Sequence, residues 1–257
     1  MIIAVTTIEK AGGAAVEKAK ERAAALGFPF TERRQNLNDT AARLGAEGLL
    51  IYGKKEPFLW TKEGEYRYHL NAAALRITQL SRGGHDRLCA LLPEKRPLSV
   101  LDATFGMGSD SAVLSYYLGE EGSVTALEAE GVLWEIGRIG LASFDTGEET
   151  INTALRRISL HRSNYKTYVK NLAPGAFDVI YFDPMFRRHV KGSDNMDVFQ
   201  KAASRDTLTE DFLQEAKEKA RTIIVKERPF SPLFESPLFT EVHRRKGQTT
   251  AYGVIRT

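Results

Sequence analysis

From residue 98 onward, short apolar runs alternate with helix-like segments, and this alternation limits the fold more than any other feature of the chain. The apolar runs have the length of strands and lie at 98–102, 123–127, 178–182 and 221–226. The helix-like segments lie at 109–119, 131–141, 147–156 and 207–219. Strands that alternate with helices predict a mostly parallel sheet with helices on both faces.

Smaller elements flank this alternating region. Residues 240–256 contain two strand-like runs around a glycine-containing turn, which predicts a C-terminal antiparallel β-hairpin. Residues 1–70 contain a helix-like segment at 11–26 and several short strand-like runs. We therefore predict a small N-terminal α/β unit over residues 1–70. A larger α/β domain with a Rossmann-like, mostly parallel sheet follows over residues 71–257.

Composition excludes several classes of protein. The chain has 257 residues, a formal net charge of +3 and one cysteine, Cys89. A single cysteine excludes an intramolecular disulfide and a cysteine-based metal cluster, and we predict no metal site. The first apolar residues are too few for a signal peptide, and no apolar run approaches the length of a membrane helix. We expect a cytoplasmic protein without membrane association, whose mildly basic balance permits a nucleic-acid partner.

A glycine-containing loop follows the first strand of the alternating region. The strand ends at Asp102, and Gly106 and Gly108 precede the next helix-like segment. Glycines let backbone approach a ligand closely, and a helix N-terminus offers free N–H groups, which together suit a nucleoside-bearing cofactor. Ser111 stands where a dinucleotide-binding loop has its third glycine, near the pyrophosphate. The loop therefore favours S-adenosylmethionine, which has no phosphate.

Polar residues at strand ends supply further candidate contacts. Asp102 faces either the ammonium group of the cofactor or the amides of the loop. For Asp110, in the first helical turn, two interpretations stay open: a cap favoured by the helix dipole, or a cofactor ligand. Glu128 ends the next strand, where a carboxylate can accept both ribose hydroxyls. For Ser163 and Asn164, a contact with the adenine edge and a simple turn both stay open.

Asp183, Pro184 and Phe186 follow strand 178–182 and suit methyl transfer to an amino group of a base. Such an amine is a poor nucleophile because its lone pair is delocalised into the ring. A carboxylate and a backbone carbonyl can hold its N–H groups and favour pyramidal geometry, and the proline ring helps to aim that carbonyl. The aromatic side chain can stack on the base. Positioning and electrostatics supply the acceleration, and no metal is needed.

Basic residues lie at the same predicted edge of the sheet. Arg187, Arg188 and Lys191 come directly after the candidate catalytic residues, and Lys226 and Arg228 end the next strand. Basic side chains beside a base pocket can hold the phosphates of a polynucleotide. A solvated loop is the alternative interpretation for the first three.

These motifs resemble those of a bacterial family that methylates the N2 amine of a guanine in small-subunit (16S) ribosomal RNA. Residues 102–110 resemble the family's Asp-Ala-Thr-x-Gly-Leu-Gly-x-Asp loop, and residues 181–186 match its Tyr-Leu-Asp-Pro-Met-Phe motif, including the unusual Met. Residues 198–200 and 225–229 are also similar, so the resemblance extends from about residue 76 to 235. Ser109 replaces a basic residue of the family's loop.

The resemblance implies a class I, Rossmann-like methyltransferase that uses S-adenosylmethionine and acts on ribosomal RNA or the small ribosomal subunit. It implies cofactor contacts at six positions, namely Ser109, Asp110, Glu128, Ser163, Asn164 and Asp183. Two alternatives stay open. One is an N6-adenine methyltransferase on DNA or RNA, which uses the same amine chemistry, and the other is a non-catalytic RNA-binding protein that retains the cofactor fold.

Overall fold

The computed structural model describes residues 1–34, 36–53, 55–70, 72–94, 97–184 and 207–257. These residues form two compact units. The first comprises 1–69 and 130–144, and the second comprises 70–129, 145–184 and 207–257. Within the described ranges, no helix is long and apolar enough to cross a membrane.

The described strands and helices alternate along most of the chain. The strands are β1 (Ile3–Thr7), β2 (Gly48–Tyr52), β3 (Phe58–Thr61), β4 (Gly64–Tyr66), β5 (Ser99–Asp102), β6 (Ser123–Glu128), β7 (Ile158–Arg162), β8 (Phe177–Phe182), β9 (Ala220–Glu227), β10 (Glu241–His243) and β11 (Ala251–Arg256). The α-helices are α1 (Gly13–Leu26), α2 (Leu37–Ala42), α3 (Ala72–Ser81), α4 (Ser109–Leu118), α5 (Gly131–Ser143), α6 (Glu149–Arg156), α7 (Tyr165–Lys170) and α8 (Glu210–Ala216). Single 3-10 turns lie at Cys89–Leu91 and Pro232–Glu235.

The first unit contains a four-stranded sheet in the order β1-β2-β3-β4. Strands β1 and β2 are parallel, and α1 and α2 supply the crossover that a parallel pair requires. The other pairs are antiparallel. Every residue of β1 and β2 is buried, which matches their uninterrupted apolar and β-branched sequences.

Helix α5 completes the first unit. Its Glu135 is fully buried and accepts hydrogen bonds from Tyr52 Oη at 2.7 Å and from the Arg22 guanidinium at 2.8 Å. Its Gly140 lies so close to the Tyr68 ring that a Cβ would have no room. Our division of the chain into domains 1–70 and 71–257 stays a prediction; the compact units described here meet at His69 and Leu70. Helix α5, which that division assigns to the second domain, nevertheless packs with the first unit.

The second unit contains a seven-stranded sheet in the order β10-β11-β9-β8-β5-β6-β7. Strands β5 to β9 are parallel, whereas β11 pairs antiparallel with β9, and β10 with β11. This arrangement confirms the predicted α/β, Rossmann-like fold with its C-terminal hairpin. The strand order reverses at β5, because β6 lies on one side of it and β8 on the other. Open α/β sheets bind ligands at the carboxyl edge of such a switch point.

Most predicted elements of the second unit lie where the alternation places them, and two details differ. The predicted helix 207–219 is shorter, because α8 begins only after Thr209, whose side chain accepts a hydrogen bond from the Phe212 amide. The short helix α7 was not predicted. It begins at the Asn164 cap, whose side chain accepts from the Lys166 amide.

Candidate cofactor and catalytic site

The glycine loop between β5 and α4 is tied to both neighbouring strands. The amide of Ala103 donates to the Tyr181 carbonyl at 2.9 Å, and the amide of Phe105 donates to the Leu127 carbonyl at 2.8 Å. These bonds hold the loop across the carboxyl ends of β8 and β6, beside the switch point of the sheet.

Both glycines of this loop have left-handed backbone conformations, with φ of 57° at Gly106 and 76° at Gly108. A Cβ on Gly108 would lie 2.5 Å from the Phe105 ring, so this position has no room for a side chain. Gly108 is also the N-cap of α4 and provides no side-chain cap for the first amides of that helix. The loop therefore leads into a helix N-terminus that no side chain caps, and its contact with the cofactor stays a prediction.

Asp102 holds the glycine loop and the start of α4 through hydrogen bonds. Its side chain is buried and accepts hydrogen bonds from the Thr104 amide at 3.1 Å and from Ser111 Oγ at 2.5 Å. Burial raises the pKa of Asp102 to about 7. Of the two roles that we considered, the structure shows the contact with a loop amide. The contact with the cofactor ammonium stays a prediction.

Glu128 lies at the end of β6 and meets the same loop. Its Oε2 accepts a hydrogen bond from the Gly106 amide at 3.1 Å, and its backbone carbonyl accepts from the Ser163 amide at 3.0 Å. Glu128 is buried, whereas Ser163 and Asn164 are partly buried. The structure thus brings Glu128, Ser163 and the glycine loop to one edge. Asn164 follows directly and caps α7 through its side chain.

A chain of alternating charges extends from this edge. Arg76 forms a two-bond ion pair with Asp86 and a second ion pair with Asp110. Lys226 Nζ lies 3.0 Å from Asp110 Oδ2 and 2.6 Å from Asp183 Oδ2. Two cations and three carboxylates therefore alternate from α3 to the ends of β8 and β9.

Asp110, the middle carboxylate of this row of ion pairs, is also hydrogen-bonded to β8. Tyr181 Oη donates to Asp110 Oδ2 at 2.7 Å. The amide of Asp183 donates to Thr104 Oγ1 at 2.6 Å, which joins the end of β8 to the glycine loop. Asp183 is partly buried, and Pro184, the next residue, is buried. Backbone and side chain of Asp183 are thus held by different elements.

Burial and neighbouring charges set the ionisation of these groups. Burial raises the pKa of Asp183 to about 6, although Lys226 opposes this increase, and the negative charge of Asp110 adds to it. Burial has the same effect on Asp110, but Lys226 and Arg76 outweigh it and hold the pKa of Asp110 well below its ordinary value. Burial lowers the pKa of Lys226, but Asp110 and Asp183 raise it far more, so the ammonium stays protonated.

The structure describes only some of the residues that we predicted to contact the substrate. Phe186, Arg187, Arg188 and Lys191 lie outside the described residues. Arg228 follows β9 and is partly buried. Within the part of the chain that the structure describes, no cluster of histidine, cysteine or carboxylate side chains could hold a metal ion.

Four residues of the site were not singled out from the sequence: Arg76, Asp86, Thr104 and Tyr181. Arg76 lies in α3 and Asp86 in the segment between α3 and the 3-10 turn; both precede the alternating region and belong to no motif. Thr104 and Tyr181 belong to the two motifs, but the sequence analysis gave neither of them a role. The hydroxyl of Tyr181, within the apolar second half of its strand, is the one signal that could have indicated a buried partner.

Known proteins provide an independent comparison. The pattern of a family described as "Putative SAM-dependent methyltransferase" matches residues 70–245. The chain is 31% identical over 255 residues to uncharacterized protein YpiP of Bacillus subtilis (strain 168), covering 98% of this chain and 99% of YpiP. It is 30% identical over 241 residues to ribosomal RNA small subunit methyltransferase J of Pseudoalteromonas atlantica, covering 88% of each chain.

A solved structure shows the same fold. It is a SAM-dependent methyltransferase from Neisseria gonorrhoeae, with a TM-score of 0.61, 19% identity, and coverage of 98% of this chain and 95% of that chain. The family match confirms S-adenosylmethionine (SAM) as the cofactor. The chain therefore belongs to the family of SAM-dependent methyltransferases that includes the ribosomal RNA small subunit methyltransferase J proteins.

Proposed function

We propose that this methyltransferase acts on the exocyclic N2 amine of a guanine in small-subunit ribosomal RNA. The observation that carries the proposal is the carboxylate of Asp183, held by Lys226 at 2.6 Å beside the glycine loop. A carboxylate at that point suits an amine acceptor rather than a hydroxyl or carbon acceptor, because it can hold the N–H groups. The similarity to ribosomal RNA small subunit methyltransferase J supports RNA as the substrate. An enzyme of ribosomal RNA would act in the cytoplasm.

The residues around the loop fit the cofactor. We propose that the carboxylate of Glu128 accepts the ribose hydroxyls and that Ser163 and Asn164 lie along the adenine. Gly106, Gly108 and the first amides of α4, at Ser109 and Asp110, would face the amino-acid end. That end carries both a carboxylate and an ammonium group, so an uncapped helix N-terminus and the buried Asp102 suit its two charges.

The chemistry then depends on holding the amine. When bound, SAM supplies a methyl group on a positively charged sulfur. Asp183 accepts one N–H of the amine and the Pro184 carbonyl accepts the other, which directs the nitrogen lone pair toward the methyl carbon. The new C–N bond would form as the C–S bond breaks, and the electrons of the broken bond would stay on sulfur. The methylated nitrogen then releases a proton, which the Asp183 carboxylate can take because its pKa lies near 6.

Substrate contacts complete the proposal. Phe186 would stack on the base, and Arg187, Arg188, Lys191 and Arg228 would hold phosphates. For Lys226 we predicted a phosphate contact as well. Its ammonium lies within 3.0 Å of two carboxylates, so we propose instead that it positions Asp183 and leaves the other carboxylate oxygen to the amine.

Nucleoside analysis after methyl transfer tests this proposal. The purified chain is incubated with SAM and unmodified small-subunit ribosomal RNA, or with assembled small subunits, and the digested nucleosides are identified by mass spectrometry. We expect N2-methylguanosine, and we expect Asp183→Ala to reduce its formation at least 100-fold. The matched control is Asp211→Ala, which removes an exposed carboxylate from α8 and should leave the yield of N2-methylguanosine unchanged.

The other outcomes exclude specific parts of the proposal. N6-methyladenosine as product would assign the enzyme to the adenine class instead. Binding of both SAM and RNA without any methylated nucleoside would favour a non-catalytic RNA-binding protein.

A further inference from the structure

The register of the sheet places two more loops at the edge where Asp183 lies. Strands β8 and β9 are parallel, with Phe182 opposite Val225, so the residues after β9 leave the sheet beside Asp183. Strand β11 is antiparallel to β9, with Ala251 opposite Glu227. The turn between β10 and β11, residues 244–250, therefore lies at this same edge.

This turn is strongly basic. It begins with three consecutive cations, Arg244, Arg245 and Lys246, and the sequence of residues 244–250 contains no acidic residue. All three cations are exposed. Arg87 adds a fourth positive charge beside the turn, because its guanidinium lies 5.0 Å from the Tyr252 ring and donates to the Thr250 carbonyl at 3.2 Å.

The loop after β9 carries an exposed aromatic side chain. Phe230 is 91% exposed, the highest value among the large apolar residues that the structure describes. The loop itself is well anchored: the Ser231 amide donates to the Arg228 carbonyl at 3.0 Å, and Arg244 Nε donates to the Pro229 carbonyl at 2.7 Å. The next aromatic residue, Phe234, is buried. The chain thus holds Phe230 outward on a fixed loop.

A single exposed apolar residue is common and needs no explanation by itself. Phe230 differs because a hydrogen bond from Arg244 joins its loop to the basic turn, at the edge that carries the catalytic carboxylate. An aromatic face beside several cations is the arrangement that binds single-stranded nucleic acid, since bases stack on the ring and phosphates meet the charges.

We propose that Phe230 and the basic turn bind single-stranded RNA that flanks the target nucleotide. Phe230 stacks on one unpaired base, and Arg245 and Lys246 contact the neighbouring phosphates. Arg244 has a positioning role, because it holds the loop that carries Phe230. This inference rests on the proposed function, which supplies RNA as the substrate, and it adds a contact surface separate from the amine-holding residues.

Fluorescence anisotropy with a labelled single-stranded RNA of 16 nucleotides and mixed sequence tests the surface. Stacking of one base corresponds to roughly a 5- to 150-fold change in Kd, so we expect a loss in that range for Phe230→Ala and recovery for Phe230→Trp. The double variant Arg245→Ala/Lys246→Ala should weaken binding and lower the slope of log K against log salt by roughly 1.4, the value for two phosphate contacts.

The matched control removes one arginine and one lysine from the opposite edge of the same sheet. Arg221 lies at the start of β9, and Lys170 ends α7 before the amino end of β8; both are exposed. Arg221→Ala/Lys170→Ala should bind the RNA like the unaltered chain. Calorimetric titration with SAM should give the same Kd for every variant, which shows that the cofactor site is intact.

Two results would overturn the inference and leave methyl transfer intact. The first is equal RNA affinity of the Phe230 and turn variants and the unaltered chain, with methylation of ribosomal RNA retained. The second is that these variants bind protein-free RNA normally but bind assembled small subunits more weakly. That result would indicate that the surface contacts a ribosomal protein rather than RNA. If the unaltered chain neither binds nor methylates RNA, the proposed function fails together with the surface.

Discussion

At Asp183, the neighbouring charges decide whether the side chain can accept a proton. Lys226 favours the ionised carboxylate, whereas burial and the negative charges of Asp110 and Glu227 oppose it. Asp102 lies near the same group of carboxylates. Its own pKa is raised, first by burial and in smaller part by the charges of Asp110 and Asp183. Because the pKa of Asp183 lies near 6, the carboxylate is largely ionised at neutral pH and still basic enough to take a proton.

This balance predicts the pH dependence of methyl transfer. Protonation of Asp183 removes the acceptor, so we expect kcat to fall roughly tenfold per pH unit below about pH 6. Lys226→Met removes the cation that lowers the pKa of Asp183, so this pKa should rise. The decrease of kcat on the acid side of the pH profile should then begin at a higher pH, by about 1 unit or more. Stopped-time methylation assays between pH 5 and pH 9 measure both effects.

Lys226→Arg is the control, because it keeps the positive charge. Its acid limb should stay close to that of the unaltered chain even if kcat decreases. An unchanged pH profile in Lys226→Met would show that the lysine does not control Asp183.

At the scale of elements, the link between β5 and α4 combines two constraints at Gly108. Its φ of 76° disfavours any side chain, and the Phe105 ring occupies the place of a Cβ. Gly108→Ala should therefore displace the loop, and we expect the affinity for SAM to fall at least tenfold. Calorimetric titration measures the affinity, and a thermal melt should show destabilisation of about 2 kcal/mol or more.

Gly27→Ala is the matched control for Gly108→Ala. Gly27 has a φ of 74° at the end of α1, but its Cβ would meet open space, so its substitution tests the backbone strain alone. We expect a cost of about 1 kcal/mol and no change in SAM affinity. Normal SAM binding by Gly108→Ala would contradict the proposed role of the loop.

At the scale of the whole molecule, the two compact units do not correspond to two continuous stretches of sequence. Helix α5 follows β6 of the second unit but packs with the first. Its Glu135 is surrounded by Arg22, Arg138 and Tyr52. Burial raises the pKa of Glu135, but hydrogen bonds from these three residues outweigh it and hold the pKa below its ordinary value. The carboxylate is therefore ionised and depends on partners from the N-terminal stretch.

This organisation predicts that residues 71–257 alone do not fold stably. Removing residues 1–70 takes Arg22, Tyr52 and Tyr68 away from α5 and leaves a buried carboxylate without two of its donors. We expect residues 71–257 to show no cooperative thermal transition, in contrast to the full chain. In the full chain, Glu135→Ala should cost about 2 kcal/mol, because it leaves the buried Tyr52 hydroxyl without its acceptor. A cooperative melt of residues 71–257 at the temperature of the full chain would contradict this prediction.

Much of the second unit was predictable because its signals are local. Apolar runs identify the strands, and the residues that end them, Asp102, Glu128 and Asp183, must share one edge in a parallel sheet. The position of the glycine loop therefore followed from the sequence pattern, and so did the class of cofactor. The packing of helix α5 with the first unit could not be predicted in this way, because the apolar face of a helix indicates that it is buried but not against which element.

The sequence by itself determined the alternation of elements, the glycine loop and the polar residue at each strand end, since these depend on neighbours along the chain. Only the tertiary structure decided that Arg76, Asp110, Lys226 and Asp183 form one chain of ion pairs. It also decided that the turn 244–250 lies beside the loop of Phe230. Ion pairs act over a few ångströms of space whatever the separation in sequence, so a pattern of residue types cannot specify which charges meet.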